Sequence, residues 1–236
     1  MQSLIYLLPA GFILTTILGI YIFYRSANRS KKVLPVLLGW MIVQSLISLT
    51  GFYLKTESVP PRLIFLLLPP VTFICVLFIS TAGRKFIDSL QPARLTILHI
   101  VRIPVEMILY GLFLNHEVPQ IMTFDGGNYD IISGLTSPFI YYFGFIHKKI
   151  ATRFLLGWNL VCLGLLLFIV RRAILSAPSP FQRLAFDQPN TAIQHFPYTW
   201  LPAVLVPLVL FSHLVMIRKS ILLLWKFRTA VRVNGI

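Results

Sequence analysis

Three ionisable residues fall within one apolar stretch, Thr96-Ile-Leu-His-Ile-Val-Arg-Ile-Pro-Val-Glu-Met-Ile-Leu-Tyr110. His99, Arg102 and Glu106 are spaced i, i+3 and i+7, which places them on one face of a helix. An unpaired carboxylate in hydrocarbon is costly, and intramembrane ionisable groups usually mark a function. Glu106 can pair with Arg102 one turn away, or serve as a proton, ion or ligand site. Arg102 can also snorkel toward the nearer interface. Pro104 removes one helical hydrogen bond beside this trio and exposes a carbonyl.

Two further groups of residues have chemical potential. His99 and His213 are expected at similar depth on different helices, with His147 near the rim. Two facing histidines can hold a haem or a metal. Nothing in the sequence makes them face each other, so no cofactor and no metal are expected. The segment 115–130 carries His116, Glu117, Asp125, Asn128 and Asp130, but at no standard calcium-loop spacing. Asp125-Gly126-Gly127 reads as a β-hairpin turn. Beyond it, Thr136 or Ser137 can cap a helix with Pro138 at its first position, which leaves 131–135 unwound. Such a helix N-terminus would favour an anionic ligand group. Alternatively, Asp130 caps a continuous helix that Pro138 only kinks.

The elements that must position these groups are membrane helices. Of 236 residues, 57% are hydrophobic and 12% charged, about half the charged fraction of an ordinary soluble domain. Mean hydropathy is +0.81. Apolar blocks at about 4–24, 33–54, 63–80, 96–114, 131–146, 154–174 and 200–217 approach the roughly 20 residues that cross a bilayer. The expectation is an all-α polytopic bundle of about seven transmembrane helices, a single integral membrane domain over 1–236. The block 131–146 is short, and if it re-enters, six spans and a half-helix remain. Leu-Leu-Gly-Trp recurs at 37–40 and 155–158. This suggests a pseudo-repeat of three helices, one and three, with 4–80 and 131–217 joined by 96–114.

Charge orders this bundle. The net charge is +14, but no stretch forms a basic face interleaved with stacking aromatics, so nucleic acid is not an expected partner. With the N-terminus outside, fifteen cations fall in inner segments (25–32, 84–94, 148–153 and 218–232). Five fall outside: Lys55, Arg62, Arg171, Arg172 and Arg183. This positive-inside bias predicts a multi-pass inner-membrane protein with a cytoplasmic C-terminus. Its inner face should attract anionic lipids. Met1-Gln2-Ser3 has no basic n-region, so the first block reads as a retained span. Cys75 and Cys162 both lie in apolar blocks and form no disulfide framework.

No P-loop, His-Glu-x-x-His or Gly-x-Ser-x-Gly is present, and no mid-span lysine offers a retinal Schiff base. The function read from these features is a small-solute or ion transporter. The alternatives are a ligand-binding membrane sensor or accessory subunit, in a homo- or hetero-oligomer, and less favoured, a lipid or isoprenoid enzyme.

Overall fold

The structure, a computed structural model, describes residues 2–233, with side chains for 7–227 and Thr229. Expectations resting on Met1 and on the side chains of Arg228 and Arg232 lie outside the described residues.

The chain is all-α. In order it forms α1 (Gln2–Ser26), α2 (Val33–Leu49), α3 (Ile64–Ile79), α4 (Thr81–Ser89), α5 (Pro92–Leu98), α6 (Arg102–Leu114), α7 (Ile131–Tyr141), α8 (Thr152–Ser176) and α9 (Val206–Val233). A 3₁₀ turn at His99–Val101 joins α5 to α6. A π-turn at Tyr142–Ile146 extends α7, and another at Leu201–Leu205 leads into α9. Four helical stretches are long and apolar enough to cross a membrane: Leu7–Ser26, Pro92–Leu114, Thr152–Ser176 and Leu201–Phe227. A fifth is added if α3 and α4, bent by 94°, count as one span. Several long apolar helices mark the chain as a multi-pass membrane protein. Val33–Leu49 and Ile131–Ile146 are apolar but shorter.

Several boundaries depart from the sequence reading, for local reasons. The second block stops at Leu49 instead of 54, because Gly51 turns left-handed at φ 73°. The interval 81–95 is not a plain loop. Ser80 Oγ accepts the Gly83 N–H and caps α4, whose Gly83 and Ile87 are buried while Arg84, Lys85 and Asp88 are exposed. The expected hairpin around Asp125 is absent from the described residues. Two short 3₁₀ turns, Gln120–Met122 and Phe124–Gly126, take its place, and Gly127 closes them at φ 83°.

Prolines interrupt the backbone hydrogen-bond ladder of several helices, and side chains take up the freed carbonyls. Pro207 has no N–H for the Ala203 carbonyl four residues back, and Trp40 Nε1 donates to that oxygen at 2.9 Å. Pro138 leaves the Gly134 carbonyl in the same state, and Ser137 Oγ donates to it at 2.9 Å. Pro69 frees the Phe65 carbonyl, which Gln44 Nε2 reaches at 3.5 Å. The Trp40 and Gln44 bonds dock α2 onto the π-turn before α9 and onto α3. Trp200 Nε1 adds a bond to Ser45 Oγ at 3.0 Å.

The two ends of the bundle are built differently. At one end, Arg218 pairs with Asp88, and Lys219 Nζ donates to the Asp88 and Leu90 carbonyls at 2.8 and 2.7 Å. Asn28 Nδ2 donates to the Ser89 carbonyl at 2.9 Å, so the basic segments 25–32 and 84–94 gather there. At the other end, Gln188 Nε2 bonds the Phe113 and Val118 carbonyls. Arg172 Nη1 bonds the Ile121 and Gly126 carbonyls at 2.9 and 3.0 Å, and its guanidinium stands 4.3 Å from the Phe168 ring centre. The segment 115–130 is thereby held down over α8.

Candidate functional site

Pro104 shapes the start of the site. Lacking an N–H and crowding the Ile100 carbonyl, it coincides with the tightened 3₁₀ turn between α5 and α6. His99 opens that turn, and Arg102 and Glu106 follow on α6. All three side chains are buried, at 0%, 3% and 2% exposure.

The structure pairs Arg102 with Asp130, and the Arg102–Glu106 ion pair that the spacing allows does not form. Arg102 Nη1 donates to Asp130 Oδ1 at 2.7 Å, with both side chains nearly inaccessible. Asp130 stands at the N-terminus of α7 but makes no side-chain cap bond, so its carboxylate is turned inward to α6. Gly134 permits this approach. A Cβ there would stand 2.9 Å from Ile103 Cγ1 and 3.1 Å from the Ile103 nitrogen. Helix α7 runs continuously through Pro138, so 131–135 is wound and no free helix N-terminus points inward there. Ser137 serves the Gly134 carbonyl, and Thr136 Oγ1 donates to the Ile132 carbonyl.

Glu106 has a different partner. Asn128 Nδ2 donates to Glu106 Oε1 at 2.5 Å and to the Met122 carbonyl at 3.0 Å, while Asn128 Oδ1 accepts the Asp130 N–H at 3.1 Å. One buried amide thus ties the loop, Glu106 and the start of α7 together. Glu106 Oε2 and Arg102 Nε find no partner among the described residues.

His213 continues the network. Arg102 Nη2 lies 3.1 Å from His213 Nε2, and His213 Nδ1 lies 3.0 Å from Asn159 Oδ1. A guanidinium only donates, so His213 Nε2 accepts and the ring proton sits on Nδ1. Asn159 Nδ2 passes the chain on to the Leu155 carbonyl at 2.8 Å. His99 stacks on His213 with centroids 3.9 Å apart and planes 16° from parallel. The two rings present faces, not nitrogens, to each other, which is no arrangement for sharing a metal. Ser212 Oγ donates to the Leu95 carbonyl at 2.8 Å and lies 3.4 Å from His99 Nε2.

The outer-loop candidates disperse. Asn128 and Asp130 face the interior, whereas Asp125 accepts from Gln120 Nε2 at 2.8 Å at the exposed rim. His116 pairs with Gln188 at 3.2 Å. Among the described residues, no group of three or more His, Cys, Asp or Glu is set to hold a metal. Asn159 and Ser212 escaped the sequence reading. The signal for Asn159 is a lone amide inside an apolar run, and for Ser212 its place beside His213; a polar residue in a membrane helix is itself informative.

Beside this network lies a cavity of about 430 Å³, between α3, α6, α8 and the start of α9. Its lining is apolar apart from Arg102, Glu106 and Asp130 and a single serine, Ser179. Burial gives it a direction. Ile64, Leu68, Ile174 and Phe181 line it and are exposed on the apolar flank, while Val101, Arg102, Glu106 and Leu205 are buried at its inner end.

Residues 60–221 match the model of a family described as Domain of unknown function (DUF8737). The chain belongs to this family. The DUF8737 segment holds the whole lining of the cavity and every member of the buried network, from His99 to His213. Helices α1 and α2 precede it. No curated protein and no solved structure matches the chain.

Proposed function

We propose that the protein binds an amphiphilic, lipid-like ligand within the membrane, with the polar end of the ligand at Arg102 and Glu106. The carrying observation is the cavity: apolar walls open at an apolar flank and end on buried ionisable groups. Pockets of about 300–1,000 Å³ with few, convergent polar groups are the usual form of small-molecule sites. In a membrane protein, an entrance lined by Ile64, Leu68, Ile174 and Phe181 admits a chain from the bilayer more readily than a solute from water.

The same cavity weighs against a small hydrophilic solute or an ion. Its walls offer such a substrate almost no hydrogen-bonding group on the way in. Three of the carbonyls that prolines free, those of Ala203, Gly134 and Phe65, are already taken by Trp40, Ser137 and Gln44, so they are not spare ligands for an ion. We therefore favour a ligand-binding membrane protein, a sensor or accessory subunit, over a transporter.

The proposal includes seven spans in an inner membrane, with the N-terminus outside. The gathering of 25–32, 84–94 and 218–219 at one end supports this orientation, because those segments carry much of the basic charge. Purification in mild detergent, followed by solvent extraction and mass spectrometry, tests the binding reading. A lipid-like molecule near one per chain, depleted by Leu68→Trp at the entrance, is the expected result. Uptake of an ion or sugar by liposomes holding the purified protein, abolished by Glu106→Gln, would favour transport instead.

A further inference from the structure

We infer that the ligand of this cavity carries an uncharged hydroxyl head, as a long-chain or isoprenoid alcohol does. The inference rests on the amphiphile reading above and adds the chemistry of the head group.

The inner end of the cavity presents two side chains whose remaining capacity is defined. Arg102 has Asp130 on Nη1 and His213 on Nη2, which leaves the Nε–H as its donor without a partner among the described residues. Glu106 has Asn128 on Oε1, and Oε2 is left in the same state. Both residues are at least 97% buried, line the cavity and stand four residues apart on α6, where side chains are neighbours. A buried polar atom without a partner costs free energy, so a ligand that satisfies both gains from both.

Only some head groups do that. A hydroxyl donates through its hydrogen and accepts through its lone pairs, so it can serve Glu106 Oε2 and Arg102 Nε together. It can do so whether Glu106 is ionised or protonated, since the hydroxyl accepts from a protonated carboxyl as readily. A carboxylate head cannot donate to an ionised Glu106, and in either state of Glu106 it would sit beside the Asp130 carboxylate. An ammonium head cannot accept from Arg102 and would sit beside its guanidinium. Either charged head must also leave water for a cavity with apolar walls, a cost that the neutral hydroxyl largely avoids.

Three probes with one chain and different heads test this: 1-hexadecanol, hexadecylamine and hexadecanoic acid. Each is titrated in radiolabelled form against the purified full-length protein in mild detergent. The hexadecanol is expected to bind about tenfold tighter than either charged analogue, and Glu106→Leu should erase that preference. Leu68→Trp, which obstructs the entrance and leaves Arg102 and Glu106 intact, should weaken all three together. Tighter binding of the acid or the amine by wild-type protein would overturn the hydroxyl assignment while leaving the amphiphile reading in place. Failure of all three to bind, or binding indifferent to Leu68→Trp, would remove the amphiphile reading and this inference with it. The wild-type order of the three heads decides the matter even if Glu106→Leu does not fold.

Discussion

Arg102 and Asp130, 28 residues apart, meet at 2.7 Å in the interior and join α6 to the first turn of α7. Asn128 braces the same turn from the loop side by accepting the Asp130 N–H and donating to Glu106. Glu106, which lines the cavity, therefore keeps one oxygen without a partner among the described residues, while the charge of Arg102 is met by Asp130. This division separates a structural ion pair from a site that can take a ligand.

The pair has a thermodynamic signature. Asp130→Asn or Arg102→Leu leaves one buried charge without its partner, which should cost about 3–5 kcal/mol. The double variant Arg102→Leu/Asp130→Leu should recover much of that loss, because neither charge then remains. Glu106→Gln should cost clearly less than Asp130→Asn, since the amide still accepts from Asn128. Thermal unfolding in detergent, with wild type and the four variants side by side, reads these differences. Equal losses for Glu106→Gln and Asp130→Asn would place Glu106 in the ion pair after all.

Gly134 should tolerate no bulk. Its missing Cβ is what lets α7 lie against the Ile103 backbone, with ideal-Cβ contacts of 2.9 and 3.1 Å. Gly134→Val should force the two helices apart, at a cost of about 1–3 kcal/mol or more. Asp130 should lose its reach to Arg102 in the same step. The check is a lowered melting temperature together with a smaller added effect of Asp130→Asn in the Gly134→Val background.

Arg172 governs the loop over α8. Its guanidinium holds the Ile121 and Gly126 carbonyls, and Gly126 leaves no room for a side chain, its Cβ position being 1.8 Å from the Gln120 carbonyl oxygen. Arg172→Ala should speed hydrogen exchange across 120–128 by about tenfold, corresponding to the loss of one or two hydrogen bonds. Exchange in α6 and α9 should stay the same. Uniform acceleration across the chain would show a global role instead.

Orientation is testable in intact cells. Single cysteines at Gln188 and Asp125, both at the end of the bundle held by Arg172 and Gln188, should react with an impermeant maleimide added outside. Cysteines at Lys85 and Lys148 should be spared until the membrane is opened. Labelling of Lys148→Cys in sealed cells would reverse the proposed topology.

Much of the scaffold was legible because apolar blocks of span length have few alternatives. Each block contains an apolar helix, and His99, Arg102 and Glu106 prove to share the buried interior. What the sequence could not supply was partners across the fold. Spacing along one helix made Glu106 the natural mate of Arg102, whereas a carboxylate arriving on α7 takes that place. Asn128 and Asp130 read as outer-loop residues because the segment around them is polar, and only the turn at Gly126-Gly127 brings them inward. The hairpin reading failed there since Asp-Gly-Gly fits a 3₁₀ turn closed by a left-handed glycine equally well. Asn159 was passed over as one amide among apolar neighbours, though it completes the chain from Arg102 through His213.

The most direct test of ligand binding is photo-crosslinking with 1-hexadecanol bearing a diazirine at mid-chain, followed by peptide mapping. The account predicts saturable adducts on cavity residues that bulk lipid does not reach, above all Leu166, Ile169 and Leu205, each at most 7% exposed. Excess unlabelled hexadecanol should suppress these adducts, and so should Leu68→Trp. Adducts confined to the outward apolar surface, at residues such as Ile42, Leu46 and Val161, would contradict it.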